Sequence, residues 1–237
     1  MQYESIVKKD KVLNFFLYTG PFDKGIRALK QNGLELITSR DLAEVRISSD
    51  IGSVANSTWT WVAESFNYFA DGRIVVADKK NNLILKSPKF ATNISSKGRY
   101  FFLKTEETNN LLEISSKDPI EAQKSGAFMF EAKEETLYIP TKRLHEEPLT
   151  LFLFRDVTKE YGSFLNEHGI NHLPIYFVLD KSIKSSVFAR ELLLERIVQE
   201  STISGDFYID LHLESGRVSA LKIKRLKPAR QKAFSKA

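Results

Sequence analysis

Residues 12–18 carry six apolar or aromatic side chains around a lone Asn14, a short run that reads as a first strand. Gly20-Pro21-Phe22-Asp23 then reads as a helix start, with proline in the first turn and an aspartate near the positive end of the dipole. Phe22, Ile26 and Leu29 share the face such a helix would bury. Asn32-Gly33 supplies its C-cap, residues 34–37 read as extended, and a shorter helix is expected over 38–45.

Strand signals dominate from Thr58 to Pro140. Residues 59–64 alternate, and Asp71-Gly72 offers the positive-φ residues of a tight hairpin before a strand at 73–77. Further strands are predicted at 83–86, 100–104, 111–114, 127–132 and 136–139, a spacing that suggests an antiparallel meander or a barrel-like sheet.

Residues 141–148 are charged and end in a proline, which marks a boundary. Beyond it, 149–154 is a continuous apolar run read as a strand, 157–168 a helix ended by Gly169, and 174–179 a second apolar strand, together a βαβ unit. A helix is predicted over 186–200, with Val187, Leu194, Ile197 and Val198 at helical spacing. The chain closes with a hairpin. A loop at Ser215-Gly216-Arg217 would set Ile209 against Ile223 and Leu211 against Leu221 on the core face, with Asp210 opposite Lys222 and Tyr208 opposite Lys224 outside. The predicted fold class is α+β: a β-rich antiparallel part over 1–145 with one or two N-terminal helices, then a smaller α/β part over 146–237 ending in a C-terminal β-hairpin and basic tail. The two parts could share one core.

Composition narrows this reading. With 42% hydrophobic and 11% aromatic residues in 237, the chain is globular over most of its length. No apolar run reaches the length of a membrane helix, so no membrane partner is expected. The absence of cysteine excludes disulfides, thiolate zinc sites and a cysteine nucleophile. Residues 1–9 lack the apolar stretch of a secretory signal. The sequons at Asn56 and Asn93 therefore read as accidental, and the expected location is cytoplasmic.

Charge is the most informative feature. Residues 215–237 hold eight Lys or Arg and no Asp or Glu, while residues 1–214 hold 27 basic and 30 acidic side chains. A basic segment of this density neutralises several phosphates and gives salt-sensitive affinity for nucleic acid. The predicted function is a nucleic-acid-associated binding protein, with DNA or RNA as partner and Lys222, Lys224, Arg225, Lys227, Arg230 and Lys232 as phosphate contacts. Pro228 ends the strand pattern and frees the residues after it. A protein partner with an acidic surface is the alternative, in which the tail docks the chain into a larger assembly or a homo-oligomer.

Other constellations are weaker. Trp59, Trp61, Phe66, Tyr68, Phe69, Tyr100, Phe101 and Phe102 could stack bases on an open sheet, but aromatic residues also favour strands as core. Asp118 with Glu131-Ala132-Lys133 matches the acidic residue and (D/E)xK pattern of a Mg²⁺-dependent nuclease, with two carboxylates for the metal and a lysine for water. Asp71 with Asp78-Lys79-Lys80 matches equally well, so the pattern is unspecific. His168 and His172, or His212 between Asp210 and Glu214, have ligand-type chemistry but not the convergence of a metal site. No metal or other cofactor is assigned. No glycine-rich phosphate loop, GxSxG elbow or HExxH helix occurs, and no catalysis is assigned.

Overall fold

Strand β1 (Gln2–Lys8) and strand β2 (Lys11–Thr19) open the fold as an antiparallel hairpin, with Lys8 opposite Lys11 and Gln2 opposite Leu17. The computed structural model describes residues 1–8, 11–86, 101–102, 104–177, 188–194, 203–204 and 217–225. Helix α1 (Phe22–Gln31) starts after Pro21 and ends at Asn32, with Gly33 at φ +65°. Phe22 and Leu29 are buried and Ile26 packs beside them, as the helical spacing predicts. Helix α2 (Ser39–Ser48) is capped by the Thr38 side chain, which accepts from the Asp41 N–H. A single helical turn comes next, α3 (Val54–Ser57).

Strands β3 (Thr60–Tyr68) and β4 (Arg73–Ala77) form the hairpin expected at Asp71-Gly72, with Gly72 at φ +90°. The chain continues through the short helix α4 (Leu83–Lys86), strand β5 (Phe101–Phe102) and helices α5 (Thr105–Ile114) and α6 (Pro119–Ser125). Strands β6 (Ala127–Glu131) and β7 (Thr136–Pro140) lead into a 3-10 turn at Thr141–Glu146, then helices α7 (Pro148–Phe154) and α8 (Thr158–Glu167). Strands β8 (His172–Tyr176), β9 (Phe188–Leu194), β10 (Ile203–Ser204) and β11 (Arg217–Arg225) complete it.

All these strands join one sheet. Its order is β1-β2-β11-β3-β9-β10-β8-β7, with β4 on β3, β6 on β4 and β5 on β9. Pairing is antiparallel except for β10 with β8 and β11 with β3. Both faces are covered over most of the sheet. Val62, Phe66, Ile74, Val76 and Phe128 share the main core with α2, α6, α7 and α8. The alternate residues turn the other way: Trp61, Ala63 and Ala220 meet α1 and α4, and Val75, Ala77 and Ala127 meet Leu111 of α5. The molecule is therefore an α+β fold. Residues on either side of position 145 share this sheet and core, since β7 pairs with β8 and Ile139 and Leu144 cluster with Leu149, Tyr161 and Leu173.

Where β11 and β3 part, Ile37 fills the gap. Its N–H donates to Ser219 O at 2.9 Å and its carbonyl accepts from the Ala63 N–H at 2.8 Å, so one extended residue joins two diverging strands. Thr60 and Ser219 hydroxyls, both buried, bond across the same junction at 2.7 Å.

Several predicted elements are corrected. Residues 83–86 and 111–114 are helical rather than extended. The run 149–154 is helix α7, because Pro148 occupies its first turn and the Thr150 hydroxyl donates back to Glu147 O at 2.9 Å. Residues 188–194, read as part of a helix, form strand β9 between β3 and β10. With 149–154 helical, the βαβ unit read over 149–179 loses its first strand, and β8 pairs antiparallel with β7 instead. The partner strand of the closing hairpin, with Tyr208, Ile209, Asp210 and Leu211, lies outside the described residues.

Candidate nucleic-acid interface

Strand β11 lies antiparallel to β2 along its whole length, and its pleat sets two faces. On the core side Leu221, opposite Phe15, packs partly against the main core. Ile223 was expected there too, yet it is 45% exposed although it stands opposite the buried Leu13. On the other side Ala220 is covered by α1, and beyond that helix the face opens at Lys222.

Three strands contribute a row to the open face. Lys222 stands opposite Asn14 of β2, and Asn14 opposite Ser5 of β1. The neighbouring row toward α1 is Ala220, Phe16 and Tyr3, and the row on the other side is Lys224, Val12 and Val7. Asn14 Oδ1 accepts from the Tyr3 hydroxyl at 2.7 Å and from the Ser5 hydroxyl at 3.2 Å. Those two bonds hold the amide oxygen toward β1. Tyr3 leans on Phe16 with ring centroids 5.2 Å apart, and is itself 60% exposed. The row thus offers an ammonium and an amide donor beside an exposed aromatic ring.

Lys222 also borders a cleft of about 320 Å³ lined by residues 33–37, Asp41, Lys79 and Leu221. Across it Lys79 is held by Glu35, whose carboxyl this ion pair keeps below its ordinary range. Among the described residues Lys222 makes no ion pair. Lys224 and Arg225 continue the strand opposite Val12 and Lys11. Lys227, Arg230 and Lys232 lie outside the described residues.

Of the aromatic residues proposed as a stacking platform, those with described side chains are mostly core, and the side chains of Tyr100, Phe101 and Phe102 lie outside that set. Trp61, Phe66, Tyr68 and Phe69 are buried, and Trp61 sits edge-on to Phe22 at 5.2 Å and to Trp59 at 5.5 Å. The exposed aromatic beside the basic strand is Tyr3. Nothing marked it in the sequence, because Gln2-Tyr3-Glu4-Ser5-Ile6-Val7 lacks a clean alternation. The available signal was a second apolar-containing segment separated from β2 by only Lys9-Asp10.

The acidic residues of the nuclease pattern have local partners. Asp118 caps α6, accepting from the N–H groups of Ile120 and Glu121 at 2.8 and 2.9 Å. Glu131 is exposed and pairs with Lys117 at 3.6 Å. Asp71 is bound by Arg73, and Asp78 accepts from the backbone of Lys80 and Asn81. Burial pushes the Asp78 carboxyl up, against those bonds and nearby Arg155. Among the described residues no three His, Asp or Glu side chains converge as metal ligands would. His168 Nδ1 bonds Phe164 O at 2.8 Å, while His172 is exposed on β8. His212, Asp210, Glu214 and Asn93 lie outside the described residues. Asn56, the first sequon, is buried with its amide donating to Arg46 O at 3.1 Å and Asp50 O at 3.0 Å.

Among the described residues no helix is long and apolar enough to cross a membrane. No protein-family model matches the chain, and no curated protein matches it. A solved structure described as the accommodation of massive sequence variation in Nanoarchaeota by the C-type lectin fold is similar in three dimensions, with a TM-score of 0.64. The likeness covers 90% of this chain and 97% of that one at 15% identity, and it is a likeness of fold.

Proposed function

We propose that this protein binds nucleic acid, with the phosphate backbone held by the basic strand β11 and the residues after it. The observation that carries the reading is Lys222. It is exposed, makes no ion pair among the described residues, and stands in one cross-strand row with Asn14 and Ser5 beside Tyr3. Lysine and amide donors suit phosphate oxygens, and an exposed tyrosine gives a base a surface on which to stack. The strand holds Lys222 in place, so less side-chain and backbone freedom is lost on binding than in an unanchored tail. Lys224, Arg225, Lys227, Arg230 and Lys232 extend the same positive segment.

Titration of labelled single- and double-stranded DNA and RNA at low salt tests the reading. Binding by the full chain that is weakened by Lys222→Glu and by removal of residues 226–237 is expected. No binding to any of them, or binding unchanged in both variants, would refute it.

A further inference from the structure

At the end of the sheet, β1 has no strand neighbour on its outer side among the described residues. The ladder alternation settles which of its backbone groups point that way. Ser219 gives its carbonyl to Ile37, so on β11 it faces away from β2; its partner Leu17 consequently faces β1 and bonds Gln2. Gln2, Glu4, Ile6 and Lys8 are thus tied to β2, while Tyr3, Ser5 and Val7 direct their N–H and C=O groups outward. The same strand carries two of the most exposed large hydrophobic residues among those described, Tyr3 at 60% and Val7 at 71%. A seven-residue edge of this kind is a template for another strand.

We infer that this edge is the contact of a two-fold dimer, in which β1 of two copies pair antiparallel about Ser5. The strand is self-complementary in that register. Ser5 is its midpoint, so all seven residues overlap, and the three outward-facing residues pair with one another: Ser5 with Ser5 of the second copy, Tyr3 with its Val7. Six hydrogen bonds close, and each exposed Tyr3 covers an exposed Val7. Glu4, whose Oε2 is shielded from solvent without a partner, comes diagonal to position 8 of the second copy, a lysine. A shift to centre the pair on Glu4 would oppose two carboxylates. Pairing about Ser5 also joins the two donor rows into one, from Lys222 through Asn14 and Ser5 to Ser5, Asn14 and Lys222 of the second copy. Its ends are about 24 Å apart at the usual strand spacing.

The chain has no cysteine, which makes the test specific. A hydrogen-bonded antiparallel pair sets Cα atoms about 5.5 Å apart, within disulfide reach. Ser5→Cys is expected to form an intermolecular disulfide under mild oxidation, while Lys30→Cys leaves the chain unlinked. Sedimentation of the full-length chain should give twice 27.1 kDa. Ser5→Lys, which opposes two like charges, and Ser5→Pro, which removes an outward N–H without touching the backbone bonds to β2, should each raise the dimer dissociation constant at least tenfold. Circular dichroism of Ser5→Lys confirms that it folds. A monomer at all concentrations, a dimer unaffected by Ser5→Lys, or a dimer in which the Ser5→Cys variant does not cross-link would overturn the inference.

Discussion

Glu64 accepts two hydrogen bonds from Ser39, from the backbone N–H at 3.0 Å and from the hydroxyl at 2.9 Å. The carboxyl is buried in the sheet and faces the first turn of α2, just beyond the point where Ile37 bridges β3 and β11. It therefore fixes the segment that forms one wall of the Lys222 cleft.

Burial pushes the Glu64 carboxyl from 4.5 up to about 7, against the Ser39 bonds, which act to lower it. The folded protein then retains a proton that the unfolded chain has released between these two values. Glu64 thus contributes stability that is full below about pH 4.5 and lost as pH rises through about 7, on the order of 3 kcal/mol in all. Urea midpoints measured from pH 5 to 8 should fall more steeply for the natural protein than for Glu64→Gln. Parallel curves would contradict the assignment.

Arg46, near the end of α2, is wholly buried. Its guanidinium donates to Ala55 O at 3.0 Å, Thr58 O at 3.1 Å and the Tyr161 hydroxyl at 3.2 Å, tying α2 to the start of β3 and to α8. Arg46→Met keeps most of the volume but leaves those acceptors unpaired, and should cost about 2–4 kcal/mol in chemical denaturation. A change below about 1 kcal/mol would mean that the acceptors find other partners.

Gly162 sits inside α8, where helix propensity alone favours alanine by about 1 kcal/mol. A Cβ there would stand 2.3 Å from the backbone oxygen of Thr141 in the 3-10 turn. Gly162→Ala should therefore destabilise by about 1–3 kcal/mol, as read from the thermal midpoint. Stabilisation would show that α8 can move off the turn.

The sequence exposed its local grammar more readily than its long-range pairing. The hairpin at Asp71-Gly72, the Pro21 start and Gly33 end of α1, and the Gly169 stop after α8 were legible because each depends on a turn or cap chemistry carried by neighbouring residues. Residues 149–154 are ambiguous in the sequence because a short apolar run fits a buried helix as well as a buried strand, and Pro148 marks a boundary in either case. Arg190, Glu191 and the leucines at 192–194 favour helix, yet pairing with β3 and β10 fixes them as β9. Of the candidate site, Lys222 was legible from charge and strand parity. Tyr3, Asn14 and Ser5 were not, since their place beside it depends on β2 separating β1 from β11, two segments at opposite ends of the chain.

The dependence of oligonucleotide affinity on salt tests the proposed function most directly. Each phosphate contact adds about 0.7–0.9 to the slope of log K against log salt. The natural protein should show a slope steeper by about that amount than Lys222→Met, with weaker binding by the variant at low salt. Equal slopes, or no measurable binding at the lowest salt, would contradict the assignment of β11 as a phosphate-contacting strand.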